Sequence, residues 1–231
     1  MIAKIFLLSL MGAAASLDRI TIQSMITRPI VTAPFIGFLL GDLYIGLLAG
    51  TLMELFWMDH LPIGTYLPPN DFLVAFLVTV VAVLSRPHLF LQSPQQLVFF
   101  VTLLFLPCGY LGQKIDELLV KNNERLLERA LAAAEEGNLR SLSFSHLSAL
   151  AYYFLFYGAT IFFLLSVGII VVISMFPLLP PYVLKSLEMM GFLLPLVGVA
   201  ATLRTINLKG TVLLFSVSFL ILSTLWEWFR A

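Results

Sequence analysis

Apolar residues run along the chain in long blocks divided by short polar breaks, at 2–17, 29–58, 72–85, 95–113, 147–176, 189–203 and 210–226. A helix needs about 20 such residues to cross a bilayer. By that measure 72–85 is short, whereas 147–176 is long enough to tilt strongly or to carry a capped extension. Block 29–58 is interrupted by Pro29, Pro34, Gly37, Gly41, Asp42, Gly46 and Gly50, which predicts either two helices or a re-entrant hairpin. Gly37 with Gly41, and Gly46 with Gly50, fall four residues apart, so each pair shares a helix face that admits a second backbone. Gly191, Pro195 and Gly198 interrupt a later block in the same manner. The predicted fold is an all-α, polytopic integral membrane protein with broken or re-entrant helices.

One region departs from this pattern. Over 113–141 the positions Ile115, Leu118, Leu119, Asn122, Leu126 and Ala130 keep a helical period with charges around the rest of the wheel. Glu117 stands four residues before Lys121, the favourable order for a helix pair. Gly137-Asn138 offers a C-terminal stop. A surface amphipathic helix of about six turns follows. It carries Lys114, Lys121, Arg125, Arg129 and Arg140, and the positive-inside rule assigns such a segment to the cytoplasm. Segment 95–113 then runs inward and 147–176 outward. Arg204 and Lys209 fall inside, and Trp226-Glu227-Trp228 falls at the outer interface. The chain reads as one membrane domain: N-terminal helices over 1–112, the arm over 113–141, and C-terminal helices over 142–231.

Composition narrows the class further. Hydrophobic residues make up 60% of the 231 and charged residues 11%, against about 25% charged in soluble chains; mean hydropathy is +1.01. Thirteen basic and thirteen acidic residues cancel, so nothing points to nucleic acid. Cys108 has no partner for an internal disulfide and reads as a small buried hydrophobe. Lys4, the run Ile5–Met11 and Ala13-Ala14-Ala15-Ser16 imitate a secretory signal, read here as a retained first helix. His60, His88 and His146 are scattered, so no metal site is expected, and no phosphate loop or nucleophile elbow points to a cofactor or to catalysis.

Candidate chemistry concentrates in Gly50–Asp71, where Glu54, Asp59 and Asp71 sit among lipid-grade hydrophobes. An Asp at mid-membrane costs roughly 2.5–3.5 kcal/mol on insertion scales, so it has a function or a partner. Glu54 suits a hydrogen-bond acceptor for substrate hydroxyls or a proton carrier; the alternative is a structural pair with Arg28. Asp59-His60 reads equally as a proton relay or as a helix leaving the membrane. Pro68 and Pro69 predict an extended loop over 64–71, in which Asn70 and Asp71 either satisfy local backbone groups or meet sugar hydroxyls. Trp57 and Tyr66 supply a stacking face. Asp18-Arg19 and Arg28-Pro29 read as interfacial helix ends, and Asp42 as a cap for the helix after it.

Arg28-Pro29, GFLLGD (37–42), GTLMEL (50–55) and IGTYLPPND (63–71), followed by EEGNLRSLSFSHLSAL (135–150), resemble the membrane-spanning IIC component of the mannose/fructose/sorbose family of the bacterial phosphotransferase system. The resemblance runs through most of the chain. It implies a sugar permease in the bacterial cytoplasmic (inner) membrane, working with a IID membrane partner in trimeric assemblies and by an elevator-like movement. Cytoplasmic IIA and IIB relay phosphate to the incoming hexose or amino sugar, and the IIC chain is not itself phosphorylated. Glu54, Asn70 and Asp71 match acidic and Pro-Asp positions near the family's sugar site. Two departures stand out: Pro69-Asn70-Asp71 replaces the Pro-Asp of many members, and Phe56–Pro62 is one residue longer. Competing readings are a proton-coupled permease and a non-transporting membrane sensor or scaffold that recruits a soluble protein through the arm.

Overall fold

The computed structural model describes residues 1–58, 60, 66–89, 93–205 and 210–230, with side chains throughout except in parts of 192–230. Among these residues there is no strand; the chain folds into helices α1 (Ile2–Ser16), α2 (Pro29–Leu40), α3 (Leu43–Phe56), α4 (Asp71–Ser85), α5 (Pro94–Phe105), α6 (Cys108–Glu135), α7 (Leu139–Met175), α8 (Pro181–Thr205) and α9 (Thr211–Arg230).

The interrupted block 29–58 is a helical hairpin. Gly41 ends α2 in the left-handed region at φ 86°, which L side chains rarely adopt. The next amide, Asp42 N, then donates to the Gly37 carbonyl at 2.8 Å. Asp42 in turn caps α3 by accepting from Ile45 N at 3.2 Å. The two helices meet along their glycines. A Cβ on Gly50 would lie 2.6 Å from the Pro29 carbonyl oxygen, and one on Gly46 would run into the Ala33 carbonyl. With 12 and 14 residues, each arm of the hairpin is about 20 Å long, short of the ~30 Å hydrocarbon core.

Helix α4 is the core. From Phe72 to Ala82 its residues are buried all round, because α2, α3, α5, α6 and α7 all pack against it. An apolar wheel without a polar face is what such an interior helix requires. Continued by a 3₁₀ turn to His88, it reaches 18 residues of spanning character, more than the block 72–85 alone suggests.

Block 95–113 does not form one helix. It breaks at Leu106-Pro107, where α5 and α6 meet at 41°, as expected where proline removes a donor and crowds the preceding turn. The arm expected as a surface helix over 113–141 starts earlier, and its first turns lie inside the protein. Asp116 and Leu119 are buried. The reason is the small-residue face before them. A Cβ on Gly112 would stand 2.5 Å from Asn70 Cβ, and one on Gly109 2.7 Å from the Trp57 ring, so bare glycines let α6 close on the loop ahead of α4. The helix stops where expected, at Gly137 with φ 66°, and Asn138 caps α7 through Ser141 N at 3.1 Å. Helix α7 is 37 residues long, roughly 55 Å. Its buried stripe Tyr153, Tyr157, Ile161, Leu165, Ile169 and Val172 follows a helical face against α1 and α4. Among the described residues two helices qualify as spans by length and composition, and the α5–α6 pair makes three if its bent halves count as one.

Candidate functional site

A cavity of about 770 Å³ lies where the arm joins the bundle. Its walls come from the turn after α1 (Asp18, Arg19), the entry to α2 (Arg28), the end of α3 (Trp57), the extended residues Tyr66–Pro69, Asp71 at the start of α4, and the α6–α7 pair (Asp116, Asn123, His146, Tyr153). The volume falls in the range of small-molecule sites, and the mixture of aromatic walls with a few polar groups is their usual make-up.

Two polar clusters meet there. In the first, Asn70 caps α4 by accepting from Leu73 N at 3.0 Å. Its side-chain N–H groups donate to Asp116 Oδ2 at 3.2 Å and to the Tyr157 hydroxyl at 2.7 Å. The Tyr157 hydroxyl donates to Asp116 Oδ1, and Tyr153 donates to the same oxygen at 3.4 Å. The backbone joins in, Asn70 N donating to the Gly109 carbonyl at 2.8 Å. Asn70 and Asp116 are both buried, so each partner prevents the large cost of an unpaired polar group.

The second cluster is open. Arg19 Nη1 stands 3.8 Å from Asp71 Oδ1, their side chains 20% and 28% exposed. That distance is too long for a hydrogen bond. Asp71 Oδ1 instead accepts from Phe72 N at 2.8 Å. Buried polar atoms without a hydrogen-bond partner among the described residues gather on the cavity's lining residues: Asp18 Oδ2, Arg19 Nη1, Trp57 Nε1 and Asn123 Oδ1. Such atoms are rare enough in folded proteins that a group of them calls for a reason. Gln23 and Met25, with φ of 56° and 64°, also line the cavity; non-glycine residues held there store strain of the kind found at functional sites. At its edge, Asp18 accepts from the Ser24 hydroxyl at 2.7 Å and the Ser24 amide at 2.9 Å. These bonds, the side-chain one foremost, hold its carboxyl below the usual carboxylate range.

Of the residues expected from sequence, Trp57, Tyr66 and Asp71 stand on the cavity wall. Asn70 lies behind it, in the closed network. Glu54 is off the wall, paired with Arg28 at 3.0 Å and accepting from Ile30 N at 3.3 Å. A carboxylate at that place completes the free amide end of α2 and suits its dipole. Asp59, positions 64 and 65 of the expected loop, and Lys209 lie outside the described residues. The fold brings to the site residues that sequence reading did not assign to it: Arg19, read as an interfacial helix end, His146, read as a scattered histidine, and Asp116, Tyr153 and Tyr157. For Asp116 a signal was present, since Gly109, Gly112, Asp116 and Leu119 form one helical face that is small, small, acidic and apolar.

The profile of the family described as PTS system sorbose-specific IIC component matches residues 2–226. The PTS system sorbose-specific EIIC component of Klebsiella pneumoniae is 25% identical over 194 residues, covering 84% of this chain and 70% of the relative. The PTS system mannose-specific EIIC component of Escherichia coli (strain K12) is 23% identical over 202 residues, covering 87% and 73%. Among solved structures, the cryo-EM structure of the mannose transporter ManYZ in complex with microcin E492 shares the fold at a TM-score of 0.59, with 22% identity over 96% of this chain and 85% of the other.

Proposed function

The chain belongs to the sorbose-specific IIC family of the phosphotransferase system, a family of multi-pass membrane transport components, and from that premise we propose that it binds a sugar in the cavity at the arm's root and presents it to phosphorylated IIB. The observation that carries this reading is the position of the cavity. Asp116 and Asn123 of α6 and His146 and Tyr153 of α7 line it together with Trp57, Tyr66 and Asp71. A sugar needs an apolar face to stack on and convergent hydrogen-bonding groups around its hydroxyls. Trp57 and Tyr66 serve the first need; Asp71 serves the second. Asn70 and Glu54 act one layer out, holding the start of α4 and the entry to α2. Asp59, in the same stretch, is assigned to the sugar site from sequence alone.

With the charged arm 113–141, which carries five Lys and Arg residues, on the cytoplasmic side of the bacterial inner membrane, the cavity opens where IIB docks. The chain then transfers no phosphate of its own. It works as the IIC subunit, a homotrimer within an assembly with IID, and IIA and IIB relay the phosphate. Residues 1–112 and 142–231 form the membrane body on either side of the arm.

The test is equilibrium binding of labelled hexoses and amino sugars to the chain co-expressed and purified with its IID partner. Saturable binding of one sugar is expected, weakened at least tenfold by Asp71→Asn in a complex of unchanged composition. A well-assembled complex that binds none of the sugars overturns the reading and returns the weight to a sensor or scaffold.

A further inference from the structure

We propose that Arg19 is a substrate-binding residue that, together with Asp71, makes the cavity specific for a neutral hydroxyl or N-acyl group at one ring position and closes it to a free ammonium there. This rests on the sugar-binding reading above and names its substrate class.

A guanidinium carries five N–H donors and accepts nothing. Arg19 lines the cavity and its side chain is only 20% exposed. Yet it makes no side-chain hydrogen bond among the described residues, and its Nη1 is buried without a partner. The surrounding groups explain why its side chain stays without a hydrogen bond among the described residues. Asp116, another acid lining the cavity, has both oxygens taken: Oδ1 by Tyr157 and Tyr153, Oδ2 by Asn70. Asp71 Oδ1 is held by the Phe72 amide and sits 3.8 Å away. The neighbouring cation, Arg28, is committed to Glu54 at 3.0 Å. Arg19 is therefore a fork of donors beside the Asp71 carboxylate, in a cavity where Asp18 Oδ2 also lacks a hydrogen-bond partner among the described residues.

That pair is complementary to a hydroxyl, which accepts from the guanidinium while donating its own proton to Asp71. A vicinal diol satisfies both partners at once, and an acylated amine offers a carbonyl acceptor and an N–H donor in the same places. An ammonium offers donors alone: Asp71 can accept from it, but it brings a positive charge against the guanidinium and leaves the fork's own donors without an acceptor.

The experiment is competition binding on the IIC–IID complex with a set of single-position deoxy, amino and N-acetylamino hexoses. In the unaltered protein one ring position should lose affinity tenfold or more on deoxygenation, at least as much on replacement by the amine, and far less on replacement by the N-acetylamine. In Arg19→Gln the penalty at that position should fall to near unity while those at other positions persist. A merely structural Arg19 would lower all affinities together and leave the position-by-position ratios unchanged, which overturns the proposal. So does an unaltered protein with no ring position that rejects the amine, a result that needs no variant to fold. An assembled complex that binds no sugar at all defeats the transport reading instead.

Discussion

Adjacent residues at the start of α4 belong to two polar clusters of opposite kind. Asn70 is buried and spends both its donors and its carbonyl within the protein, on Asp116, Tyr157 and Leu73. Asp71, next in sequence, faces the cavity and an arginine whose side chain makes no hydrogen bond among the described residues. A buried polar network that is fully satisfied rigidifies a core. One that is half satisfied is costly unless something else completes it. The first cluster is thus architecture, fastening the loop before α4 onto α6 and α7, and the second is the place where a ligand has something to contribute.

The contrast predicts different consequences for substitutions on its two sides. The largest effect is expected of Asn70→Asp. It removes both donors and sets a carboxylate about 3 Å from Asp116, where like charges repel. A stability loss on the order of 3 kcal/mol is expected, read as a lower melting midpoint of the purified protein in detergent. An unchanged midpoint would show that the network is not structural. Tyr157→Phe sharpens the point by deleting only the hydroxyl that links Asn70 to Asp116. It should cost about 1–3 kcal/mol by the same measurement, with sugar affinity largely retained in the protein that remains folded. At the far end of α4, Arg86 pairs with Asp42 at the hairpin tip, its side chain 46% exposed. Solvent screens such a pair, so Arg86→Ala should shift stability by about 0–1 kcal/mol. A larger loss would mean that the tip, and not the cavity end, anchors α4.

Local features were readable in advance. The left-handed Gly41 with its capping Asp42 and the stop at Gly137 before Asn138 depend on a few neighbouring residues, so turn chemistry reveals them. Trp57, Tyr66 and Asp71 stood out for a similar reason, since they fall close together in the sequence, and all three line the cavity. Glu54 drew attention as an acid among hydrophobes, and its pairing with Arg28 was the alternative weighed beside a substrate role. Arg19 looked like an interfacial helix end and Asp116 like one charge among many on an amphipathic arm. Their roles depend on segments far away in the chain.

By itself the sequence determined the membrane environment, the breaks at glycine and proline, the stop of the charged arm at Gly137 and the family to which the chain belongs. Hydrophobicity and backbone preference act over a few residues and need no tertiary context. Only the tertiary structure decided which polar groups are satisfied and which are left waiting. Whether a donor or acceptor finds a partner is a property of the pair, and here the partners lie up to 87 residues apart in the Asn70–Tyr157 bond.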